Sequence, residues 1–515
     1  MRFVSAGLVA IVGFSIVGGC SGSERKFGTG GAGASGAAGA AGAAGKPNTS
    51  EGGRAGGASA GTAGAEPEAG SAGDSTDGGT AGTVDETGGT TNGGSTNGGA
   101  GAGGKAGGGS GSGGAAAGAG GGSAGAPPTC NACANGFACS TTTCKTTCSV
   151  DSDCLGDHFC SSGQCRLDAV QVSIGYSHAC VLLADKTVSC WGSNQQSQLG
   201  SASAADSATP VPVKFLSNVQ AIAVGDALTF ALLNDGTVVY WGTRITKYEP
   251  STNQYTTVAS QYPTPLDGLS AVKTIAAGGR GNGCATLADG SARCWNFNDM
   301  GQLGNGTYNF SVDPVVVSGV SGATSIDFGY AFACAQSTSA VKCWGNNFDG
   351  NLGSFADTTS NTPQTITGLT GTVSKLRTGD SFGCVLMTNG SMQCWGANGD
   401  GQLGNGTSGT KATTPVTVTA VPNVADLQAG TTHTCALQSG GTVRCWGQNY
   451  DGQIGNGNKN SPVTMPTAVT GITGAIALGV GSYTSCVILT NGSVKCWGRI
   501  VGESSNDYSG ATTVW

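Results

Sequence analysis

Histidines are the side chains best suited to acid–base chemistry at neutral pH, and this chain of 515 residues has three of them. His178 and His433 each stand two residues before a cysteine, at equivalent positions of an internal repeat. The other repeats carry unrelated side chains there: Leu228, Asn282, Phe332, Phe382 and Thr484. A catalytic base needs convergent partner groups, so the pattern indicates repeat architecture. We therefore predict no enzyme activity, no catalytic residue, no cofactor and no metal ion.

Four aspartates lie in equivalent turns of successive repeats: Asp299, Asp349, Asp400 and Asp451. A glycosidase needs two carboxylates that face each other across one bond. Acids that recur one repeat apart are explained more simply as turn residues. A hydrolase or lyase is therefore only the third-ranked interpretation of the chain, behind two binding functions.

Twelve of the 21 cysteines form six pairs that are spaced nine or ten residues apart. Such a spacing places both cysteines directly opposite each other in a β-hairpin with a two- or three-residue loop, at a Cα distance that permits a disulfide. The second repeat has lost both cysteines together, to Phe230 and Tyr240. We predict six cross-strand disulfides, the alternative being twelve free buried thiols: Cys180–Cys190, Cys284–Cys294, Cys334–Cys343, Cys384–Cys394, Cys435–Cys445 and Cys486–Cys496.

Tryptophans mark seven repeats of about fifty residues each: Trp191, Trp241, Trp295, Trp344, Trp395, Trp446 and Trp497. Each repeat reads as an extended Pro-rich strand, a strand that ends in glycine, and a hairpin that ends in Cys-Trp. Four strands per repeat and seven repeats predict an all-β fold, a seven-bladed β-propeller over residues 167–515. The segment Ala511–Trp515 resembles a spare leading strand. We expect it to complete the first blade and so to close the ring.

The motif after each tryptophan identifies a family. Cys-Trp-Gly-x-Asn followed by Gly-Gln-Leu-Gly is clearest at Trp395–Gly404, and over residues 170–515 the chain resembles the regulator-of-chromosome-condensation repeat family. The resemblance implies a seven-bladed propeller. The second repeat departs from the motif after Trp241 and the seventh after Gly498.

Function carries over from this resemblance only in part. The family's eukaryotic namesake exchanges nucleotide on a small GTPase and binds chromatin, which is not expected of an exported acidic chain. An exported bacterial relative is similar in blade number and inhibits β-lactamases by covering their active sites. The resemblance therefore implies a binding protein, with inhibition of an exported enzyme as the alternative.

The N-terminus predicts export. Arg2 precedes an apolar stretch from Val4 to Val17, which is typical of a signal peptide over residues 1–19. Val17-Gly18-Gly19-Cys20 resembles the lipobox of bacterial lipoproteins, which implies lipidation at Cys20. We expect a lipid-anchored protein of the bacterial cell envelope, at the outer membrane or the cell surface.

Two further segments separate this anchor from the propeller. Residues 20–127 are rich in Gly, Ala, Ser and Thr and predict a disordered linker. Residues 128–166 form a small disulfide-rich module whose pairing the sequence leaves open, and its second half resembles repeats of the Dickkopf N-terminal kind. The module holds eight cysteines: Cys130, Cys133, Cys139, Cys144, Cys148, Cys154, Cys160 and Cys165.

The formal net charge of −7 argues against a nucleic-acid partner, which needs a basic face. We expect a monomer that contacts the membrane through its lipid and binds a protein or a glycan outside the cytoplasm. The second repeat replaces its turn with a longer segment, which is either a degenerate repeat or a binding loop. Its candidate partner-binding residues are Arg244, Lys247, Tyr248, Tyr255 and Tyr262. A second candidate set follows the repeat glycines: Tyr176, Asp226, Arg280, Tyr330, Asp380, Thr431 and Ser482.

Overall fold

The computed structural model describes part of the chain, within its C-terminal three-quarters. The described residues are 138–140, 143–145, 147–155, 158–161, 163–249, 251–252, 254–354, 358–419, 421–499 and 507–515. The predicted signal peptide, the lipidation at Cys20, the linker, and the module cysteines Cys130 and Cys133 lie outside these residues. No helix within the described ranges is long and apolar enough to span a membrane.

The described part of the cysteine module contains two short hairpins and a 3-10 helix, Asp151–Asp153. In the first, β1 (Cys139–Ser140) pairs with β2 (Thr143–Cys144), and in the second, β3 (His158–Ser161) pairs with β4 (Gln164–Leu167). Two disulfides bridge the described part of the module: Cys148–Cys160 and Cys154–Cys165. A segment of this size cannot bury enough apolar surface, so these cross-links are expected to supply much of its stability.

Seven four-stranded antiparallel sheets follow and form the blades of a propeller, which confirms the predicted fold class. In each blade the first strand lines a central channel and the fourth is the outer edge. The first blade contains β5 (Ala169–Ile174), β6 (His178–Leu183), β7 (Val188–Gly192) and β8 (Ser207–Pro212). The second contains β9 (Val219–Val224), β10 (Leu228–Leu233), β11 (Val238–Glu249) and β12 (Gln254–Pro265). The third contains β13 (Val272–Ala277), β14 (Gly283–Leu287), β15 (Ala292–Asn296) and β16 (Ser311–Val316).

The remaining four blades repeat this order. The fourth contains β17 (Ala323–Phe328), β18 (Phe332–Ser337), β19 (Val341–Gly345) and β20 (Ser360–Thr365). The fifth contains β21 (Val373–Thr378), β22 (Phe382–Met387), β23 (Met392–Gly396) and β24 (Ala412–Thr417). The sixth contains β25 (Val424–Ala429), β26 (His433–Gln438), β27 (Val443–Gly447) and β28 (Val463–Ala468). The seventh contains β29 (Ala475–Val480), β30 (Thr484–Leu489), β31 (Val494–Arg499) and β32 (Asp507–Thr513).

The central hairpin of each blade sets the cysteine register. In the first blade Cys180 lies opposite Cys190 across a three-residue loop, and its last residue, Lys186, has a φ of 69°. In the fourth blade the Ser337 N–H donates to the Ala340 carbonyl around a two-residue loop, and Cys334 lies opposite Cys343. The six pairs named above all lie at disulfide distance, with Cα separations of 4.0 to 4.1 Å.

Neighbouring blades interlock through these cysteines and the repeat tryptophans. The disulfide of one blade packs against the tryptophan of the next, as Cys334 and Cys343 do against Trp395. The indole N–H of Trp395 also donates to the Asn351 carbonyl, in a turn of the fourth blade, at 2.8 Å. The same donation recurs at four other junctions: Trp241 to Gln198, Trp344 to Gln302, Trp446 to Gln402 and Trp497 to Gln453.

The second blade breaks this pattern. Phe230 and Tyr240 replace its disulfide and pack against Trp295, with the Phe230 and Trp295 rings 5.3 Å apart edge to face. β11 and β12 continue as a long hairpin in place of the Gly-Gln-Leu-Gly turn. The Trp295 indole N–H is consequently buried without an acceptor in the described part of the chain.

The ring closes between the last and first repeats, but the expected strand exchange is wrong. β32 pairs with β31 and completes the seventh blade, and the first blade is complete with β8 as its fourth strand. Each Pro-rich strand therefore pairs backward with the hairpin before it rather than leading the next repeat. The C-terminus still takes part in closure, because the Trp515 indole donates to the Leu167 carbonyl at 2.9 Å.

A pair of tryptophan substitutions measures the interlock. Trp395→Phe leaves the buried Asn351 carbonyl without its indole donor, whereas Trp295→Phe removes an indole that has no acceptor. We expect Trp395→Phe to cost about 1–3 kcal/mol more of the free energy of unfolding than Trp295→Phe. Urea unfolding of the oxidised chain measures both, and equal losses would contradict the role of the hydrogen bond.

Candidate functional site

The propeller has two faces that differ in the connections they carry. Because the strands are antiparallel, the links between first and second strands and between third and fourth strands all emerge on one face. We call this the upper face; in the first blade it carries residues 175–177 and 193–206. The hairpin of β11 and β12 extends from the second blade on this face. Both candidate sets from the sequence therefore have most of their members there.

The residues after the repeat glycines form a collar around the mouth of the channel, a cavity of about 390 Å³. The Arg280 N–H donates to Asp226 Oδ2 at 2.8 Å, and the Tyr330 N–H donates to the Asp380 carbonyl at 3.1 Å. Glycine is required beside them, since a Cβ on Gly379 would lie 2.4 Å from the Gly430 carbonyl oxygen. The second candidate set thus forms a collar in which hydrogen bonds connect neighbouring blades.

Two carboxyl groups of the collar have pKa values above the usual range. Burial, together with the nearby charge of Asp226, raises the pKa of Asp380 to about 7. Burial also raises the pKa of Asp226, against the hydrogen bond from the Arg280 N–H. The mouth therefore changes charge near neutral pH, and it would attract a cation or hold a proton.

Polar side chains deeper in the channel are paired with each other across blades. Arg377 Nε donates to Gln428 Oε1 at 2.8 Å, and Lys375 forms an ion pair with Asp426. Burial raises the pKa of Asp327, although Arg377 and the Thr378 N–H counteract it. These contacts tie the fourth, fifth and sixth blades together, so we assign them a structural role.

Four aromatic rings meet between the long hairpin and the third blade. The Tyr248 ring lies 5.6 Å from Phe297 and 6.1 Å from Phe310, and the Tyr255 ring lies 6.4 Å from Phe297. We call these four residues the aromatic patch. Within the patch Phe297 is buried, whereas Tyr255 is 60% exposed. The patch presents a supported aromatic surface at the upper face.

Arg280 connects the aromatic patch to the collar. Its guanidinium carbon lies 3.8 Å over the Phe297 ring, and Nη1 forms an ion pair with Asp299 Oδ2 at 2.7 Å. Its backbone has a φ of 59°, an uncommon conformation for a side chain other than glycine. The collar and the aromatic patch are therefore connected through Arg280.

The five candidates of the second repeat do not form a single site. Only Tyr248 and Tyr255 join the aromatic patch. Arg244 donates to the Val312 carbonyl and lies 5.1 Å over the Tyr240 ring, which is a structural contact. Lys247 is exposed opposite Thr256. Tyr262 packs 5.2 Å from Phe215, whose connection emerges on the opposite face.

Sequence reasoning missed Phe297 and Phe310 and dismissed Asp299 as a turn residue. A signal for Phe297 was present, because the equivalent positions of four other repeats are small or polar: Ser193, Asn346, Ala397 and Gln448. Beside it, Asn296 stands at a φ of 91° where the other repeats have glycine. Such departures concentrate in the repeat that faces the long hairpin.

Comparison with known proteins accounts for the scaffold. Two family models described as "Regulator of chromosome condensation (RCC1) repeat" match the chain, one at residues 169–198, 373–402, 424–453 and 475–499, the other at 187–232 and 389–437. These segments of the propeller match the RCC1 repeat. The aromatic patch lies between these RCC1 segments, in the part of the ring that the two models leave unmatched.

Two relatives that differ greatly in length each match more than half of this chain. The Arabidopsis thaliana ultraviolet-B receptor UVR8 is 28% identical over 305 residues, which is 56% of this chain and 67% of the receptor. The human E3 ubiquitin-protein ligase HERC2 is 26% identical over 333 residues, which is 61% of this chain. The chain spans only 7% of that ligase.

Solved RCC1-type structures show the same fold. Prp20p from Saccharomyces cerevisiae superimposes with a TM-score of 0.54 at 20% identity, over 68% of this chain and 87% of Prp20p. Yeast Prp20 in its complex with Kap60 gives a TM-score of 0.56 at 19% identity, over 73% of this chain and 89% of that one. At this identity the likeness concerns the fold alone.

The two repeat histidines lie within segments that match the RCC1 repeat, and they contact the next blade. His178 Nε2 lies 2.7 Å from Thr229 Oγ1, and His433 Nε2 lies 2.8 Å from Ser485 Oγ. Both side chains are fully buried, and burial lowers the pKa of each imidazole from 6.5 to about 3. Both histidines are thus neutral in the folded chain above pH 4, and they bridge blades.

The histidines should make the propeller less stable in acid. Between pH 6.5 and 3 the unfolded chain binds a proton at each histidine and the folded chain does not, so stability falls as the pH falls through this window. His433→Phe, which copies Phe332 and Phe382, should remove up to about 1.4 kcal/mol of this loss per pH unit. Urea unfolding at pH 7, 5 and 4 compares the two chains. Parallel pH profiles would show that His433 is already protonated in the fold.

Proposed function

We propose that the chain is a surface-anchored binding protein that works outside the cytoplasm and holds a partner at the upper face of its RCC1-repeat propeller. One observation carries the proposal: the aromatic patch lies where the ring departs from its own repeat. Rings that are held in place by Phe297 lose little conformational entropy when a partner packs on them. Function commonly resides on loops that a rigid scaffold positions.

The rest of the upper face favours a broad contact with a partner. Five more aromatic side chains are exposed on upper-face connections: Tyr176, Tyr308, Tyr330, Phe348 and Tyr450. Tyrosine provides both an apolar ring and a hydroxyl group, a combination enriched at protein interfaces. Such rings also suit stacking on sugars, so a protein and a glycan are both suitable partners.

Export and anchoring are part of the proposal. The apolar N-terminal segment followed by Cys20 supports a lipid anchor. Six cysteine pairs at disulfide distance support an oxidising compartment, because thiols in the cytosol are kept reduced. The Gly- and Ala-rich stretch between the anchor and the module would then serve as a spacer.

Inhibition of an exported enzyme is the second candidate function. The observation that favours it is the long hairpin, whose strands of 12 residues each rise from a rigid ring. An extended hairpin can enter an active-site cleft that a flat surface would only cover. Capture of the partner by the chain distinguishes the two functions, because an inhibitor reduces the activity of the enzyme that it captures.

Tyr255 and Tyr262 provide a matched test on one hairpin. The full chain, solubilised in mild detergent, would be used to capture proteins and polysaccharides from envelope and secreted fractions of its host. For the captured partner, Tyr255→Ala should weaken affinity about tenfold, as expected for an exposed interface tyrosine. Tyr262→Ala, on the same strand but packed on Phe215, should change it little.

Two outcomes would overturn the proposal. One is capture of neither protein nor polysaccharide by the full chain. The other is equal affinity of wild type and Tyr255→Ala for a partner that does bind, which would move the contact away from the aromatic patch. Circular dichroism of both variants would establish that the ring is intact.

A further inference from the structure

The outer strands of the blades are sheet edges, and most of them are protected against pairing. Proline occupies the fourth position of five of the six outer strands other than β12: Pro210, Pro314, Pro363, Pro415 and Pro466. Proline has no N–H to donate, so it interrupts an incoming ladder of hydrogen bonds. These edges are therefore poor templates for another strand.

β12 keeps this protection only at its base. Pro263 and Pro265 lie where the strand belongs to the ring, with Pro265 opposite Val239. The upper part of the strand, residues 254–261, contains neither proline nor a charged side chain. Residues 254–259 are all exposed, with Val258 at 50%, and β12 is the edge strand of its sheet. The upper part of the long hairpin is thus an unprotected edge rich in β-forming residues.

We propose that this edge pairs with the same edge of a second copy of the chain, in antiparallel orientation about a two-fold axis. The pairing would join two hairpins into one four-stranded sheet. It differs from the monomer expected from the sequence and does not depend on the partner proposed above. A two-fold contact uses one surface twice, which is the commonest form of protein self-association.

The composition of the edge favours a second copy as its occupant. An axis through Val258, perpendicular to the sheet, would place Val258 opposite its own copy and Thr256 opposite Ser260. No like charges then face each other, the arrangement that destabilises strand pairs. Two identical edges also present matching donors and acceptors without requiring any other sequence. Because the hairpin rises from the ring, two copies can pair there before their blades collide.

Two valines of nearly equal exposure give a matched experiment. Val258→Lys puts a charge at the two-fold axis, so each pair would have two like charges directly opposite each other. Val316→Lys changes an outer strand that Pro314 protects, at 51% exposure. The full chain would carry Cys20→Ser to avoid lipidation, and sedimentation equilibrium would give its mass over a range of concentrations.

We expect wild type and Val316→Lys to dimerise with equal strength, and Val258→Lys to dimerise at least about tenfold more weakly. Hydrogen exchange gives a second readout, because amides of residues 254–261 should be protected in the dimer and exchange faster in Val258→Lys. A wild-type chain that stays monomeric overturns the inference, as does a Val258→Lys chain that stays dimeric. Both readouts use the chain without any partner, so neither result depends on partner binding at the aromatic patch.

Discussion

The contact between each tryptophan and the preceding blade is the constraint on which the ring depends. At six of the seven junctions its indole covers the paired cysteines of that blade, and at five its N–H donates to the carbonyl of a turn on the upper face. One residue thus fixes both the spacing of the sheets and the position of a loop. Because the last interface, between Trp191 and the Cys486–Cys496 pair, is built in the same way, the ring closes without exchanging a strand.

The second blade shows what happens when this contact is given up. Without a turn, Trp295 loses its acceptor, and a buried N–H without a partner costs about 1–3 kcal/mol. The apolar rings of Phe230 and Tyr240 and the packing of Tyr248 on Phe297 offset part of that cost. This junction therefore gives up stability, and it has a long hairpin with an exposed tyrosine in place of the turn. Such local departures from a repeat are expected at functional sites.

Short-range pattern was enough to predict the hairpins. A spacing of ten residues between Cys384 and Cys394, or nine between Cys334 and Cys343, allows one antiparallel register for each loop length. The sequence could not show which hairpin each Pro-rich strand pairs with. The order of strands along the chain is the same whether this strand begins one blade or completes the blade before it. Only the pairing of β32 with β31 decides between these two arrangements. The aromatic patch was harder still, since Tyr248 and Phe310 come from different blades and meet only in three dimensions.

Arg280 explains why the patch and the channel mouth belong to one surface. Its N–H donates to the carboxylate of Asp226, while its guanidinium group is held between Phe297 and Asp299. Arg280 therefore lies between the ring that supports the aromatic patch and the carboxylate charge of Asp226 at the channel mouth. Asp380 has a pKa of about 7 in part because of that charge. One backbone position, at a φ of 59°, thus contacts both the support beneath the patch and the charged mouth of the channel.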